Sequence, residues 1–461
     1  MPGPASSTAA FDEARFASGA TRPEYRGLLR ALEGADLADL RARADAVVAE
    51  QGVTFGEATF AVDPIPRLLD GREWDALAAG LRQRVRALGA FVADAYGPRR
   101  IVAAGLMPGE AIDSAEGFEP ELMGRWPTNG PSGWIAGLDV VREPSGRMVV
   151  LEDNLRSPSG FTYATAARLA VEAVSPVSPP AGAPGALLVA ALRRTLRGAA
   201  ARIRTGEPSI VVLTESGAAG FEHETVASWL GVPLVGLEDL VVRDGDVCFP
   251  DADGRLRRVD VVYRRTDTEA LRDSTGAPTE VARALLEPWL NGRVAVVNPF
   301  GTGVADDKLT HTFVEDMIRF YLGEEPRLAS VPTLDLTRGE HRDRVLADLR
   351  SYVVKPRLGH GGRGIVVCAH ADEADLGKVA RDLRAHPQDF VAQPMVALST
   401  HPTVVEGGLE PRHVDLRPYV FASDAGVFVP EAALTRVAWG AGALVVNSSQ
   451  DGGAKDTWVL R

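Results

Sequence analysis

Cysteine is nearly absent from this chain. In 461 residues there are only Cys248 and Cys368, far apart, which leaves no disulfide framework and no Cys/His spacing suited to zinc; a reducing cytoplasm is the expected setting. Positive charge is also in deficit. A formal net charge of −12 argues against a nucleic-acid or anionic-membrane surface, while a local basic pocket for phosphate stays open. No apolar run is long enough to span a bilayer. The first 22 residues have neither a basic start nor an apolar h-region, so they read as a loose tail rather than a signal peptide. No Ser/His/Asp or Cys/His arrangement stands out for nucleophilic catalysis. The eight histidines read as surface or core residues, with His223 and His360 the two worth testing. What is present is the composition of a globular protein, 45% hydrophobic and 24% charged, long enough for roughly two to four domains.

Helical periodicity covers Tyr25 to Gln51 and Glu73 to Tyr96, with Leu, Ala and Val on one face and Arg, Asp and Glu on the other. Between them the prolines of Val62-Asp-Pro-Ile-Pro-Arg67 force an extended path. These stretches divide the first part of the chain into a tail over 1–22 and a helical N-terminal region over 23–125. Ser175 to Gly185 is rich in Pro, Ala and Ser and reads as a linker, placed at 175–186. Beyond it helix and strand alternate, as in a small doubly wound unit over 187–305. Ligands usually bind at the carboxyl ends of such strands, which draws attention to Glu215, Arg264, Arg265 and Asp267. The five arginines of Leu187 to Arg204 suit a solvated face better than an anion patch.

Leu138 to Asn154 reads as a hairpin turning at Glu143-Pro-Ser-Gly146, where Pro at the second position and Gly at the fourth favour a type I turn. A two-residue loop sets Asp139 opposite Val150, one diagonal from Glu152, and Glu152 shares a face with Asn154 because side chains alternate. Three oxygen donors then converge, a set that suits Mg²⁺ and nucleotide phosphates. A glycine bulge at Gly146 would instead turn Asp139 to the other face and leave two ligands. The plain alternative is a surface hairpin with scattered acids. Further on, Lys355 ends the apolar strand Ser351-Tyr-Val-Val-Lys-Pro356, just before Gly359-His-Gly-Gly-Arg-Gly364. Backbone N–H groups of such a turn can close on phosphate oxygens, with the lysine as a point charge. It is no P-loop, since the glycines do not lead into Lys-Ser or Lys-Thr.

Three more segments come after this turn in a telling order: Phe390-Val-Ala-Gln-Pro-Met395, Arg412-His-Val-Asp-Leu-Arg-Pro418, then Val445 to Gly453. From about Gln51 onward the chain resembles the circularly permuted type 2 ATP-grasp family, in which the Asp…Glu-x-Asn hairpin, last in ordinary ATP-grasp enzymes, comes first. The resemblance implies an α/β fold with α+β lobes: a metal-binding hairpin over 126–174 completing the ATP-grasp lobe, a Rossmann-like α/β lobe over 187–305, and nucleotide-binding lobes over 306–461. It also implies ATP as nucleotide, with Lys308 and Lys355 on its phosphates and Gly359, Gly361, Gly362 and Gly364 as the lid. His360 and Arg363 lie within that lid as departures from the family pattern, and Val429 to Leu434 lacks the paired glycines usual before Leu-Thr-Arg. Gln393 and Met395 fall at the hinge beside the adenine, and Arg417 at the terminal phosphates. Asp139, Glu152 and Asn154 match the Mg²⁺ ligands, with two ions bridged by Glu152.

The reaction implied is ligation, in which a carboxylate phosphorylated by ATP is attacked by an amine, with Arg417, Lys355 and Arg156 as the catalytic cations. Ser157, Ser159 and Gly160, next to Arg156, are placed at the acyl phosphate, and Arg436, Asn447 and the Gly452-Gly453 turn face the same region. For Arg156 and Arg436 a structural salt bridge is nearly as good a reading. The expected partners are small-molecule or peptide carboxylate and amine substrates, without nucleic acid or membrane. A phosphotransferase of the same fold, or a nucleotide-binding module without turnover, are the alternatives.

Overall fold

The computed structural model describes residues 10–55, 58–127, 133–215, 220–266, 270–359, 364–406, 408–443 and 452–461. Its centre is an eight-stranded sheet whose main path runs Val62–Asp70, Gly452–Leu460, Ala433–Ala438, Gly408–Ser423, Gly133–Arg142, Met148–Asn154. The first pair is parallel and the others antiparallel. Strands from the first and last parts of the chain therefore lie side by side. The stretch expected to be a helical N-terminal region contributes an end strand of this sheet, where Val62, Ile65, Leu68 and Leu69 are all buried and the prolines keep the chain extended. Part of the stretch expected as a loose tail is also packed in: Glu13 and Ala14 are buried, while residues 15–20 are exposed. Asp12 bridges to Thr400, and the buried Glu13 carboxylate accepts from Arg67 at 2.5 Å and Arg142 at 3.0 Å.

Every residue of Gly133–Arg142 is buried, as expected of a strand covered on both faces. On one face lies the long helix Gly71–Ala95, whose N-terminus is capped by Asp70 Oδ1, accepting from the amide of Arg72 at 2.9 Å. Its Leu81, Val85 and Leu88 share a core with Ala136, Leu138, Val140, Leu416 and Val420. The other face carries Ile135, Tyr419, Phe421 and Leu434, which share a core with helices Phe161–Val174 and Pro184–Ala200. Asp139 and Arg417, two residues along from Gly137 and Tyr419, belong to this second face.

Two smaller sheets flank it. A parallel sheet ordered Ala295–Val297, Val261–Arg265, Ile210–Thr214, Leu234–Val235 forms the Rossmann-like lobe. The small antiparallel sheet 241–258 within it was not foreseen. Asn298 rivets this lobe to the centre: its Oδ1 accepts from Ile135 N at 2.7 Å and its Nδ2 donates to Ile135 O at 2.7 Å. The arginines of the linker-side helix and the turn after it are engaged, among them Arg197 with Glu207 and Arg202 with Asp424. The second sheet, Leu334–Asp335, Phe390–Pro394, Tyr352–Pro356, Val366–Val367, is backed by helices Gly339–Ala347 and Glu373–Ala385, with Val345, Val354, Leu376 and Leu383 between. Among the described residues no helix is long and apolar enough to cross a membrane.

Candidate active site

The hairpin brings its acids together by an unexpected route. Gly146 N donates to Glu143 O at 2.8 Å as in a type I turn, but Glu143 N donates to Arg147 O at 2.9 Å, and Gly146 has φ +87°. Glu143 therefore faces Arg147, not Gly146, and this glycine bulge shifts the register by one. A second bulge undoes the shift in parity. Val140 stands opposite Val150, yet Asp139 stands opposite Glu152, so Leu151 is an extra residue. The expected pairing of Asp139 with Val150 is thereby corrected, while the convergence holds: Asp139 faces Glu152 directly, Asn154 shares their side, and Asn154 Nδ2 donates to Asp139 Oδ1 at 3.2 Å. At the bulge Val150 pairs outward, N to Ala329 O at 2.9 Å and O from Val331 N at 2.8 Å.

Cations meet these acids from two directions. Arg417, on the neighbouring strand, reaches Asp139 Oδ1 at 2.6 Å and Asp415 Oδ2 at 3.0 Å. Lys308, just before the short helix Thr310–Phe313, reaches Glu152 Oε1 at 3.3 Å and donates to Gly359 O at 2.9 Å. Lys355 lines the same cavity from the second sheet, with Asp139, Glu152, Asp415 and Arg417 on the central sheet, Val353, Ile365, Val367, Met395 and Leu398 forming the apolar part and the Gln393 amide among them. An apolar slot ending in convergent charges is the form of a small-molecule site.

The charges do not balance within the site. Burial pushes the Asp139 carboxyl up, to about 7, against the pull of Arg417 and with the help of Glu152 and Asp415. Burial works on Glu152 in the same direction, but Lys355, Lys308 and Arg417 together hold it below its ordinary value. Lys355 is pushed down by burial and by Lys308, against Glu152. Arg436 is pushed down to about 10 by burial and by Arg417; its Nε is buried without a hydrogen-bond partner. Asp139, Glu152 and the Asn154 amide are hard oxygen donors of the kind Mg²⁺ takes, and a dication there would relieve the repulsion between the two carboxylates. Among the described residues no group of three His, Cys, Asp or Glu could hold a metal, so a cation held here would take the Asn154 amide oxygen as its third protein donor.

Other expected residues fall differently. Gln393 lines the cavity, but its Nε2 donates to Leu151 O at 3.2 Å and Thr333 Oγ1 at 2.9 Å, which leaves Oε1 as its buried, unpartnered atom. Met395 is 42% exposed and its amide is taken by Ser351 O. Arg156 is held by Asp306, with its Nε at 3.1 Å and its amide at 3.1 Å, so the salt-bridge alternative is the arrangement found. Ser157 Oγ and Pro158 O accept from Arg265 at 3.2 and 2.7 Å, and Gly160 N donates to Glu222 at 2.7 Å; Arg265 and Glu222 pair at 3.2 Å. The loop is thus tied to the Rossmann-like lobe, with Ser159 on its exposed side. Gly452 and Gly453 do not form a turn. They open the last strand, opposite Ala438 and Val437, where a Cβ on Gly453 would stand 2.1 Å from the Trp439 ring. Gly359 and Gly364 both have positive φ, and a Cβ on Gly364 would press on Pro356 at 2.9 Å. His360, Gly361, Gly362, Arg363, Asn447 and Asp267 lie outside the described residues.

The back of the hairpin holds a set not anticipated. Arg84 of the long helix grips Asp153 with two hydrogen bonds, 2.6 and 2.7 Å, and His311 Nδ1 lies 2.7 Å from Asp153 Oδ2. Asp153 sits between two proposed ligands but on the opposite face, where a buried carboxylate requires a charged partner.

Known proteins point the same way. The family described as circularly permuted ATP-grasp type 2 matches residues 66–438. A Frankia alni protein provisionally named a glutamate–cysteine ligase is 44% identical over 98% of this chain and 54% of its own length; the chain thus spans about half of that relative. An uncharacterised protein of Synechocystis sp. is 40% identical over 98% of this chain and 97% of its own, and one of Mycobacterium bovis is 41% identical over 98% and 84%. Among solved structures, an apo glutathione synthetase-like effector from Globodera pallida shares the fold, with a TM-score of 0.59 at 12% identity over 92% of this chain and 98% of that one. The chain belongs to the circularly permuted ATP-grasp type 2 family.

Proposed function

We propose that this chain is an ATP- and Mg²⁺-dependent ligase, working in the cytoplasm, that joins a small carboxylate, an amino acid or peptide, to an amine. The observation that carries the proposal is the meeting of Asp139–Arg417 and Glu152–Lys308 pairs with Lys355 at the charged end of one apolar slot. The slot suits the adenine, between Leu398 and Val353 on its two walls, with Gln393 and Met395 at its edge. Lys308 and Lys355 suit the phosphates, with Gly359 and Gly364 flanking the segment that would cover them, and Arg417 suits the transferred group. Asp139, Glu152 and Asn154 would hold Mg²⁺, which when bound supplies charge opposite the phosphate oxygens.

In the proposed sequence a substrate carboxylate oxygen bonds to the terminal phosphorus while the bond to ADP breaks. The amine nitrogen then bonds to the carbonyl carbon, phosphate leaves, and the amine loses a proton. Arg417 and Lys355 offset charge on the transferred group, so positioning and electrostatics do the work and no protein nucleophile is required. Arg436, a half-buried guanidinium whose Nε has no hydrogen-bond partner, suits the substrate carboxylate. Arg156, already held by Asp306, is better suited to fixing the loop than to binding.

The test is a screen of carboxylate and amine pairs for ADP release with mass detection of the product. Release that needs both partners, with a product one water lighter than their sum, is expected. Phosphate transfer to a single acceptor without any amine would replace ligation with a phosphotransferase.

A further inference from the structure

Away from the nucleotide slot, a cleft of about 630 Å³ opens between the long helix Gly71–Ala95, the segment 324–327 and the hairpin tip at Gly426 and Val427. That volume lies in the range of small-molecule sites. Three guanidiniums line it, Arg82 and Arg86 from successive turns of the helix and Arg327 from the segment, with Glu324 as the one carboxylate among the lining residues. Glu324 pairs with Arg86 at 3.2 Å. Asp75, the acid that feels Arg82 from outside, is itself paired with Arg461 at 2.8 Å. Positive charge is thus in excess inside a cleft of a chain whose net charge is −12.

We propose that this cleft binds a small multivalent oxyanion, phosphate in the first instance, and that the anion fastens segment 324–331 to the long helix. Guanidiniums present two parallel N–H groups, the geometry that oxyanions accept. The segment is already attached beneath them. Gln83 Nε2 donates to Glu324 Oε2 at 2.8 Å and Glu325 O at 2.9 Å, and its Oε1 accepts from Arg327 N at 2.8 Å. Beyond Arg327 the segment reaches the hairpin: Ser330 Oγ accepts from Arg84 at 2.9 Å, and Ala329 and Val331 take both backbone groups of Val150. Val150 adjoins the bulge that sets Asp139 opposite Glu152. An anion shared by Arg82 and Arg327 therefore steadies the strand edge on which the convergence of the two carboxylates depends.

Titration calorimetry of the full chain with inorganic phosphate, at fixed ionic strength, tests the site. Two variants separate it from the nucleotide slot: Arg82→Gln combined with Arg327→Gln, and Lys355→Ala. Phosphate binding weakened at least about tenfold in the first and unchanged in the second is expected. Hydrogen exchange at the amides of Val150 and Val331 should slow with phosphate in the wild type and not in the double variant. Absence of phosphate binding, or binding lost in Lys355→Ala and kept in the double variant, overturns the site. Binding that leaves both amides exchanging at the same rate overturns the fastening.

Discussion

Two buried charge clusters share the central sheet, and they are built to different ends. In the first, Lys455 pairs with Asp63 and donates to Ile65 O and Pro402 O at 3.4 and 3.0 Å. Close by, Glu13 joins Arg67 and Arg142, and Arg142 pairs with Glu73. Each charge there has an opposite charge against it, and strands from both ends of the chain supply the partners. In the second, around Asp139 and Glu152, two acids crowd each other, Asp139 is pushed up by burial, and Arg436 is pushed down by burial and by Arg417. A closed cluster holds the fold; an unbalanced one is what a charged ligand would complete under the proposed function, since burial makes every uncompensated charge costly.

The contrast breaks most visibly where the closed cluster loses a member. Asp63→Ala leaves Lys455 buried without its carboxylate, although burial already pushes that ammonium down to about 8. A loss of about 3–5 kcal/mol in unfolding free energy is expected, read by urea denaturation, with activity per folded molecule unchanged. Glu152→Ala should do the reverse. Turnover falls roughly a hundred- to a thousandfold, about 3–4 kcal/mol in the barrier, while circular dichroism stays native. A Glu152 variant within a few-fold of wild type would place this carboxylate among the structural charges.

Legibility in the sequence divides along the same line. The helices, the parallel lobe and the hairpin could be read because periodicity and turn residues are local. Asp139, Glu152, Lys308, Lys355 and Arg417 could be named because their order along the chain matched a known pattern. The Leu151 bulge could not be foreseen, since it is fixed by Ala329 and Val331, remote in sequence. Arg84 behind Asp153 and Glu13 between two arginines were hidden for that reason too: a buried ion pair is made by tertiary packing, and each partner alone reads as a surface residue. For Arg156 a salt bridge is among the sequence readings but its partner Asp306 could not be named, and the place of Gly453 depends on Trp439.

A smaller effect sharpens the functional cluster. Lys355→Ala removes one of two lysines that hold Glu152 down, so affinity for a non-hydrolysable ATP analogue should fall about ten- to a hundredfold, roughly 1.4–2.7 kcal/mol, with stability unchanged or raised because a desolvated ammonium is gone. Calorimetry reads the affinity directly. Unchanged affinity would detach Lys355 from the phosphates.

An effect visible only as a difference between two pH curves concerns a group in neither cluster. His223 is buried in the Rossmann-like lobe, its Nδ1 2.6 Å from Thr214 Oγ1. Burial, with Arg265 nearby, pushes it down from 6.5 to about 4. Between those values the unfolded chain binds a proton that the folded one refuses, so this residue's contribution is complete above pH 6.5 and is lost as pH falls toward 4. His401, also buried and pushed far down, acts with the same sign. Asp139 and Asp456, pushed up to about 7 and about 6 chiefly by burial, act with the opposite sign over this window, so the wild-type curve alone cannot isolate His223. The difference between wild type and His223→Gln can. Across pH 6.5 to 4 the wild type should lose stability relative to the variant by up to about 1.4 kcal/mol per pH unit, less to the extent that water reaches the ring. Parallel curves in urea denaturation would mean that the imidazole protonates in place, and that the carboxyl end of the parallel sheet is wetter than its packing around Thr214 implies.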